Sequence, residues 1–302
     1  MKLQPIVHLK LQPIATASLL ALLLIAAPCC AAGAESSPEE LETAAGKGDA
    51  DAQYRLGQAC LRGQGVKKDA AMAFALLQKA ADQGHADAMG GLGYFYANGI
   101  TVKKDPAAAA EWFRQGAEKG GPRSQLNYGQ ALLNGRGVKE DEAGGLKWIE
   151  KALAQNLPHA FFAKGEFFYY GTHGHPQDYE KARENLLKAA EAGHAAAQNM
   201  LGSMYQEALG VKTDLAQAEA WFRKSAEQGD PKGMSNLGQL LGPDGPDATK
   251  HVEALKWILL AHRANEPQAR TLLNEILRTR PPEVVKEAQK QMAEFKPRPA
   301  LF

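Results

Sequence analysis

Apolar and small residues in this chain recur at the spacing of an amphipathic helix, and glycine-rich breaks interrupt them at regular intervals. In the first such stretch, Ala52 and Leu56 fall on one helical stripe, which predicts a helix over about residues 50–61. Residues 63–66, Gly-Gln-Gly-Val, then break the pattern. A stripe of alanine and leucine follows and predicts a second helix over about residues 70–83. The basic unit is therefore two helices joined by a short turn.

This two-helix pattern repeats about every 36 residues, a period typical of stacked repeat proteins. One glycine within the first helix marks each unit: Gly57, Gly93, Gly129, Gly165, Gly202 and Gly238. Glycine inside a helix costs about 1 kcal/mol relative to alanine, so its recurrence predicts close approach of the paired helix. A bulky residue of the second helix is expected beside that contact, at Leu76, Trp112, Trp148, Trp221 and Trp257.

Two further repeated positions predict where the second helices begin and end. Aspartate recurs at the start, where its carboxylate can accept hydrogen bonds from the free amides of the first turn, at Asp69, Asp105, Asp141, Asp178 and Asp214. Glycine or asparagine, the residues that most readily adopt the left-handed conformation, recurs at the end. These residues are Gly84, Gly120, Asn156, Gly193, Gly229 and Asn265.

Together these motifs resemble the Sel-1-like repeat, a relative of the tetratricopeptide repeat (TPR). The Leu56-Gly57 pair, the Gly-x-Gly-Val turn and the capping aspartate carry the resemblance. Tyr128 and Lys164 replace the leucine in units three and four, and residues 242–246 of unit six lack the turn. The resemblance implies an all-α fold, a right-handed α/α superhelical solenoid of Sel-1-like (TPR-like) repeats.

The repeats and their flanks divide the chain into segments with different predicted roles. We predict a signal peptide at 1–34, a flexible lead-in at 35–47, six repeats over 48–265, C-terminal capping helices at 266–295 and a tail at 296–302. The repeat boundaries are 48–83, 84–119, 120–155, 156–192, 193–228 and 229–265.

The leader combines two lysines with an apolar stretch over residues 14–27 and small residues at 32–34, where a signal peptidase could cleave. A periplasmic or secreted protein is therefore expected. A lipoprotein, with Cys29 or Cys30 bearing the lipid, is the alternative, but Pro28 stands where a small residue is needed. Cleavage leaves Cys60 as the last cysteine, so no internal disulfide is expected.

Charge and motifs exclude several classes of function. The full chain carries a net charge of +1, which falls to −1 with the leader, so nothing favours nucleic acid or an anionic membrane as a partner. The sequence has no Ser-x-x-Lys, no His-Glu-x-x-His and no phosphate-binding loop. His173 and His175, with Asp178 nearby, are the one metal candidate, but a plain surface loop is favoured. We predict no catalytic residue, no metal and no cofactor.

A surface is the better candidate for a functional site. In TPR-like stacks the first helix of each unit lines the concave face, and the Leu-Gly pair sets its phase. The predicted partner-binding residues on this face are Tyr54, Arg62, Tyr94, Asn98, Arg123, Gln130, Asn134, His159, Phe162, Glu166, Tyr169, Tyr170, Asn199 and Gln206. The same phase turns inward Asp51, Gln58, Asp87, Ser203 and Glu207. Unit four, aromatic over residues 161–170, is the expected centre, unless most of its rings belong to the core.

We therefore predict a non-enzymatic interaction scaffold of the bacterial cell envelope, which binds a protein or an extended peptide in its concave groove. No nucleic acid and no transmembrane span of the mature chain are expected. One alternative is an enzyme that binds or hydrolyses β-lactams, as proposed for cysteine-rich relatives whose cysteine pairs this chain lacks. Another is a binder of cell-wall carbohydrate, with Tyr94 and Tyr170 stacking on sugar rings.

Overall fold

The computed structural model describes residues 37–242 and 248–298, which form helices and turns but no strand. The first helices of the repeated pairs are α2 (Ala50–Arg62), α4 (Ala86–Asn98), α6 (Pro122–Leu133), α8 (Pro158–Tyr170), α10 (Ala195–Glu207) and α12 (Pro231–Leu241). The second helices are α3 (Ala70–Asp82), α5 (Pro106–Glu118), α7 (Glu142–Ala154), α9 (Tyr179–Glu191), α11 (Leu215–Glu227) and α13 (Ala248–Arg263). The flanking helices are α1 (Pro38–Gly46), α14 (Pro267–Thr279) and α15 (Pro282–Glu294).

Each helix pair packs within itself and then against the next pair. The most extensive contacts join α2 to α3, α4 to α5 and so on to α12 and α13, and each second helix also contacts the first helix of the following unit. First helices contact one another as well, α4 with α6 and α10 with α12. They therefore line one face of the stack. The predicted all-α solenoid of repeated helix pairs is confirmed.

The glycines of the first helices allow the close approach that their spacing predicts. A Cβ atom at Gly129 would lie 2.8 Å from the carbonyl oxygen of Gly145, and one at Gly238 would lie 2.9 Å from that of Ala254. Both distances are too short for a real Cβ atom to occupy without movement of a backbone. The free energy that glycine costs within a helix is thus offset by close packing of the pair.

The side chain that covers each glycine differs from the predicted one by a single residue. The ring of Phe113, not that of Trp112, lies over Gly93, 2.5 Å from the place of a Cβ atom. One residue rotates a helical position by about 100°, and this turns the following residue toward the partner helix. Trp112 and Trp148 are only partly buried. The covering residues are Leu77, Phe113, Ile149, Leu186, Phe222 and Ile258.

The predicted ends of the second helices are confirmed at every unit that the sequence marked. Each capping aspartate accepts a hydrogen bond from a backbone amide of the first turn, as Asp69 does from Met72 at 2.9 Å. The glycines and asparagines predicted to end these helices all have positive φ, between 57° at Asn156 and 93° at Gly193. The turns that set the stacking are therefore encoded locally.

The N-terminal flank corrects one prediction. Residues 38–46 were expected to be flexible, but they form α1, which packs on α2. Ser37 and Glu40 make a reciprocal capping box at its start, and the carbonyl of Ala45 accepts a hydrogen bond from the buried Gln53 side chain. Helix α1 thus covers the end of the first repeat. The predicted signal peptide at 1–34 lies outside the described residues.

The C-terminal flank also differs from the expected loose tail. Helices α14 and α15 lie where two capping helices were predicted, and both contact α13. The Arg298 amide then donates to the Glu227 carbonyl at 2.7 Å, while the Arg298 guanidinium lies 3.0 Å from the Glu227 carboxylate. This part of the tail is therefore held on unit five. Residues 299–302 lie outside the described range.

Candidate functional site

A cavity of about 680 Å³ opens on the face lined by the first helices, across units one to three. Its polar lining comes from α2, the turn after α2, α4 and α6: Tyr54, Gln58, Arg62, Lys68, Asp87, Tyr94, Arg123 and Asn127. Its apolar lining consists of Leu61, Ala70, Leu77, Gly90, Gly91, Phe95 and Ile100. Because three units contribute, the cavity exists only in the assembled stack. This size is typical of a ligand site.

The cavity exists because unit two departs from the repeat at one place. Gly90 stands where the other units carry Tyr54, Leu126, Phe162, Asn199 and Ser235. Gly91 follows it, and a Cβ atom there would lie 3.0 Å from the Leu77 side chain. At Gly90 the Ser124 hydroxyl would be 2.5 Å away. The two glycines therefore bring neighbouring units together while leaving the groove above them free of side chains.

Tyr54 lines the cavity and is influenced by four charged residues around it. Its ring stacks on His85, with 4.7 Å between centroids, and its hydroxyl accepts a hydrogen bond from Gln58. Burial raises the pKa of the Tyr54 hydroxyl, and the carboxylates of Asp87 and Asp51 raise it further. Arg123 and Arg62 act in the opposite direction. Tyr54 therefore remains a neutral hydrogen-bonding group at physiological pH.

The charged groups of the cavity have few partners within the fold. Asp87 has a buried carboxylate oxygen, Oδ1, with no hydrogen-bond partner among the described residues. No ion pair within the described ranges involves Arg62, Lys68 or Arg123. A buried polar atom without a partner costs free energy. The cavity therefore presents one acceptor and three cations that a ligand could satisfy.

Four of the predicted partner-binding residues meet in this cavity: Tyr54, Arg62, Tyr94 and Arg123. Four others lie elsewhere on the first helices. Asn98 and Asn134 donate to carbonyls of their own helices, of Tyr94 at 2.8 Å and of Gln130 at 2.7 Å. Gln130 and Gln206 are exposed.

Asn199 is corrected by the structure. Its side chain was expected to face a partner, but it is only 8% exposed and accepts a hydrogen bond from Asn236 at 2.8 Å. The bond joins α10 to α12. The reason is that an amide at this phase reaches Asn236, one residue beyond the equivalent position of the next unit, before it reaches solvent. Asn199 therefore has a structural role between units five and six.

The aromatic residues of unit four mostly contact one another and the next unit. Phe162 stacks on His194, with 4.4 Å between ring centroids, and His159 lies edge-on to the same ring at 4.6 Å. Tyr169 packs against Tyr170 at 4.9 Å. Tyr170 is 60% exposed, while Glu166, whose pKa is raised by burial, is half-buried. The cavity that borders His159 and His194 is smaller than that of units one to three.

A second cavity and a histidine-containing loop are weaker candidates for a site. A shallow cavity of about 310 Å³ lies beside His159, His194 and Asp230. In the loop of His173 and His175, which was predicted to be a plain surface loop, Nδ1 of His175 hydrogen-bonds the His173 carbonyl. Over the part of the chain that the structure describes, no cluster of three metal-binding side chains was found. The same residues contain no helix with the length and apolarity to cross a bilayer.

The sequence reading missed several lining residues, namely Gly90, Gly91, Lys68 and Asn127. Gly90 and Gly91 carried a usable signal, because two adjacent glycines stand inside a first helix only in unit two. Lys68 had none, since its place on the wall depends on how the turn after α2 folds beside α4. Asp87 was placed on the correct face.

Known proteins that are similar in sequence and fold include bacterial repeat proteins. An uncharacterised protein of Neisseria meningitidis is 34% identical over 121 residues, which are 40% of this chain and 24% of that protein. A crystal structure of a protective antigen of uropathogenic Escherichia coli, with an SLR fold, matches at 32% identity and TM-score 0.58, over 85% of this chain and 56% of the antigen. A Sel1 repeat protein from Oxalobacter formigenes matches at 26% identity and TM-score 0.59, over 74% and 91%.

The chain thus spans about a quarter of the Neisseria protein and just over half of the antigen. A family model described as Sel1 repeat matches five consecutive segments, more than half of the sequence, at residues 50–85, 86–121, 122–157, 163–194 and 195–230. Those segments cover α2 to α11, five of the six helix pairs, apart from the first five residues of α8. The chain therefore belongs to the Sel1 repeat family.

Proposed function

We propose that this protein is a non-enzymatic scaffold that binds a protein or an extended peptide in its concave groove, with units one to three as the binding surface. One observation supports this most directly. Tyr54, Arg62, Tyr94 and Arg123, from three different units, converge on a single open cavity. A surface built from several repeats suits a partner that extends along the stack. Sel1 repeat solenoids are generally interaction scaffolds, which agrees with this role.

The composition of the cavity favours a polypeptide over other ligands. Two tyrosines supply rigid contact area, and Gln58 and Asn127 can pair with peptide groups. Tyr94 is 49% exposed although its ring is large and apolar. Exposed aromatic residues beside arginine are typical of interface anchors. We therefore expect binding to depend most on Tyr94, whose ring is exposed.

The test is capture of crosslinked partners from native envelope extract by the mature protein, with two matched tyrosine variants. Tyr94→Ala removes a cavity anchor, and Tyr170→Ala removes a somewhat more exposed ring in unit four. We expect capture to fall at least about tenfold for Tyr94→Ala, as for an interface anchor, and to stay within about twofold for Tyr170→Ala. If Tyr170→Ala reduced capture more than Tyr94→Ala did, the site would lie in unit four. If neither variant reduced capture, the groove would be excluded as the binding surface.

We also infer that the protein acts in the bacterial envelope, because residues 1–34 have the composition of a cleavable export signal. The expected product is a periplasmic or secreted chain that begins at Glu35. Cell fractionation followed by mass spectrometry of the N-terminal peptide tests this. A mature chain that retains Met1 in the cytoplasmic fraction would contradict it, and a lipid on Cys29 or Cys30 would replace it with a membrane-anchored form.

A further inference from the structure

We propose that the cavity of units one to three binds the C-terminal residue of a partner polypeptide, an apolar residue whose free carboxylate pairs with Arg62 and Lys68. Its side chain would lie above Gly90 and Gly91. This inference rests on the proposed function and specifies which part of the partner is bound. Three observations lead to it, which concern the apolar floor, the placement of charge and the unpartnered oxygen of Asp87.

The floor of the cavity is apolar and free of side chains at its centre. Leu61, Leu77 and Ile100 line it from two units, and Gly90 with Gly91 leaves the space between them open. In no other unit do two adjacent glycines stand at these positions. An apolar side chain that entered here would displace water from apolar surface, which is favourable. A volume of about 680 Å³ accommodates that side chain together with several peptide units.

The cationic groups are not spread evenly around this floor. Arg62 ends α2 and Lys68 lies in the turn that follows, so both stand at the same end of the groove. Asp87 and Arg123 stand in the first turns of α4 and α6, at the opposite end. The lining residues at the Arg62 end include no acid, while those at the other end include both Arg123 and Asp87. The complementary ligand therefore has its anionic group at the Arg62 end.

A C-terminal residue matches this arrangement better than an internal aspartate or glutamate does. Arg62 follows Leu61 directly, so the cationic end and the apolar floor adjoin. The ligand must therefore present a carboxylate and an apolar branch almost at the same point. In a polypeptide only the terminal residue bears both groups on one carbon atom. Arginine can hold such a carboxylate with two parallel hydrogen bonds.

Asp87 indicates how far the bound segment extends. Arg62 and the first turn of α2 are 11 residues apart, or about 16 Å along the helix, and Asp87 occupies the equivalent first turn of α4. An extended chain covers that distance with about five residues. A backbone N–H near the fifth residue from the end could then donate to the unpartnered Oδ1 atom of Asp87. We therefore expect the last five residues to determine binding.

The decisive experiment compares two random heptapeptide libraries panned on the whole mature protein. In one library the random segment ends with a free carboxylate, and in the other a carrier domain follows it. We expect enrichment of peptides with an apolar last residue from the first library and none from the second. Equal enrichment from both, or a polar last residue, would overturn this inference and leave the proposed function standing. No enrichment from either, together with no variant-sensitive partner capture, would overturn both.

The selected peptide then allows the carboxylate contact to be tested with a matched pair of lysines. We expect the affinity of the free acid to exceed that of its amide at least about tenfold, as is typical of a charge-assisted contact. Lys68→Gln combined with Arg62→Gln should reduce that difference to less than about threefold. Lys67→Gln, an exposed neighbour outside the cavity lining, should leave it unchanged. An acid preference that survives the double variant, with an unchanged helical circular dichroism spectrum, would contradict the proposal.

Discussion

The groove of units one to three is open, while the groove of units four to six is largely filled by its own side chains. In the first half Gly90 and Gly91 leave a cavity between the helices. In the second half Phe162 stacks on His194, and Asn199 bonds to Asn236. Both halves are built from the same repeat. Glycine at residue 90 of unit two therefore leaves open a space that larger residues occupy in units four and five. The equivalent Tyr54 of unit one does both, since it lines the cavity and stacks on His85 of the next unit.

The packing beneath the groove does not share this difference. Gly129 in the first half and Gly238 in the second both lie against a backbone carbonyl of the paired helix. An isoleucine covers each of them, Ile149 and Ile258. The glycine contact thus belongs to the framework, and the concave positions can vary without disturbing it. This separation lets one fold carry different surfaces along its length.

The largest expected effect tests whether the framework is the same in both halves. Gly129→Ala and Gly238→Ala should each lower the free energy of unfolding by about 3 kcal/mol, because the added methyl group forces the paired backbones apart. Urea unfolding followed by circular dichroism measures the loss. Similar losses for the two variants support a common framework.

Gly46→Ala is the matched control for these substitutions. Gly46 lies in α1, and a Cβ atom there would have no neighbour within 4 Å. The change should be neutral or stabilise the protein by up to about 1 kcal/mol, since alanine is the better helix former. If Gly238→Ala were as harmless as Gly46→Ala, the second half would be packed by a different rule from the first.

The next effect concerns the closed half and its dependence on pH. Burial, together with neighbouring His159, lowers the pKa of His194 from 6.5 to about 4. The unfolded chain therefore binds this proton more readily, and the folded state loses stability as the pH falls from about 6.5 to about 4. We expect a loss of about 1–2 kcal/mol, reduced from the full shift because the ring is partly exposed. Unfolding in urea across this pH range measures it.

His194→Asn isolates this contribution. The His194 ring nitrogen caps α10 by accepting from the Ala197 amide, and asparagine can cap while it does not titrate. The pH dependence between 6.5 and 4 should therefore become smaller in the variant. His85→Asn, the same change at the histidine that caps α4, controls for replacement of the cap itself. An unaltered pH profile in His194→Asn would show that other groups cause the loss.

The features predicted correctly from the sequence are those that a residue determines within its own turn or helix pair. The aspartate caps, the left-handed helix ends and the glycine contacts follow from backbone geometry that few residue types satisfy. They hold in units as different as three and five, although Tyr128 replaces the leucine of the repeat in unit three. The fold could therefore be read from spacing alone.

Of the features predicted wrongly, the burial of Asn199 depends on a neighbouring unit, whereas the bulky residue over each glycine was misplaced by one position within its own helix pair. Asn199 has the phase of a surface residue, but its burial requires Asn236, which is 37 residues away. Helix α1 was missed for another reason, because its capping box was present in the sequence and overlooked. The cavity that we propose as the binding site lies on the predicted face, with its centre two units from unit four, and partner binding at either place stays a prediction.

The smallest effect compares two arginines at equivalent positions of the second helices. Arg114 in unit two pairs only within its own helix, with Glu111 at 2.7 Å and Glu118 at 2.5 Å. Arg223 in unit five pairs with Glu219 of its own helix and also reaches Glu253 of the next unit. Exposed ion pairs within one helix contribute little, whereas a partly buried pair between helices contributes more.

Arg223→Gln should therefore lower the free energy of unfolding by about 1 kcal/mol, and Arg114→Gln by less than about 0.5 kcal/mol. The Arg223 loss should shrink in a Glu253→Gln background, because the pair then no longer links units five and six. A double-mutant cycle in urea measures this coupling. Equal losses for both arginines, with no coupling to Glu253, would mean that the second half is joined by its buried side chains alone. Coupling would instead add a charged contact on the second helices to the amide contact between Asn199 and Asn236.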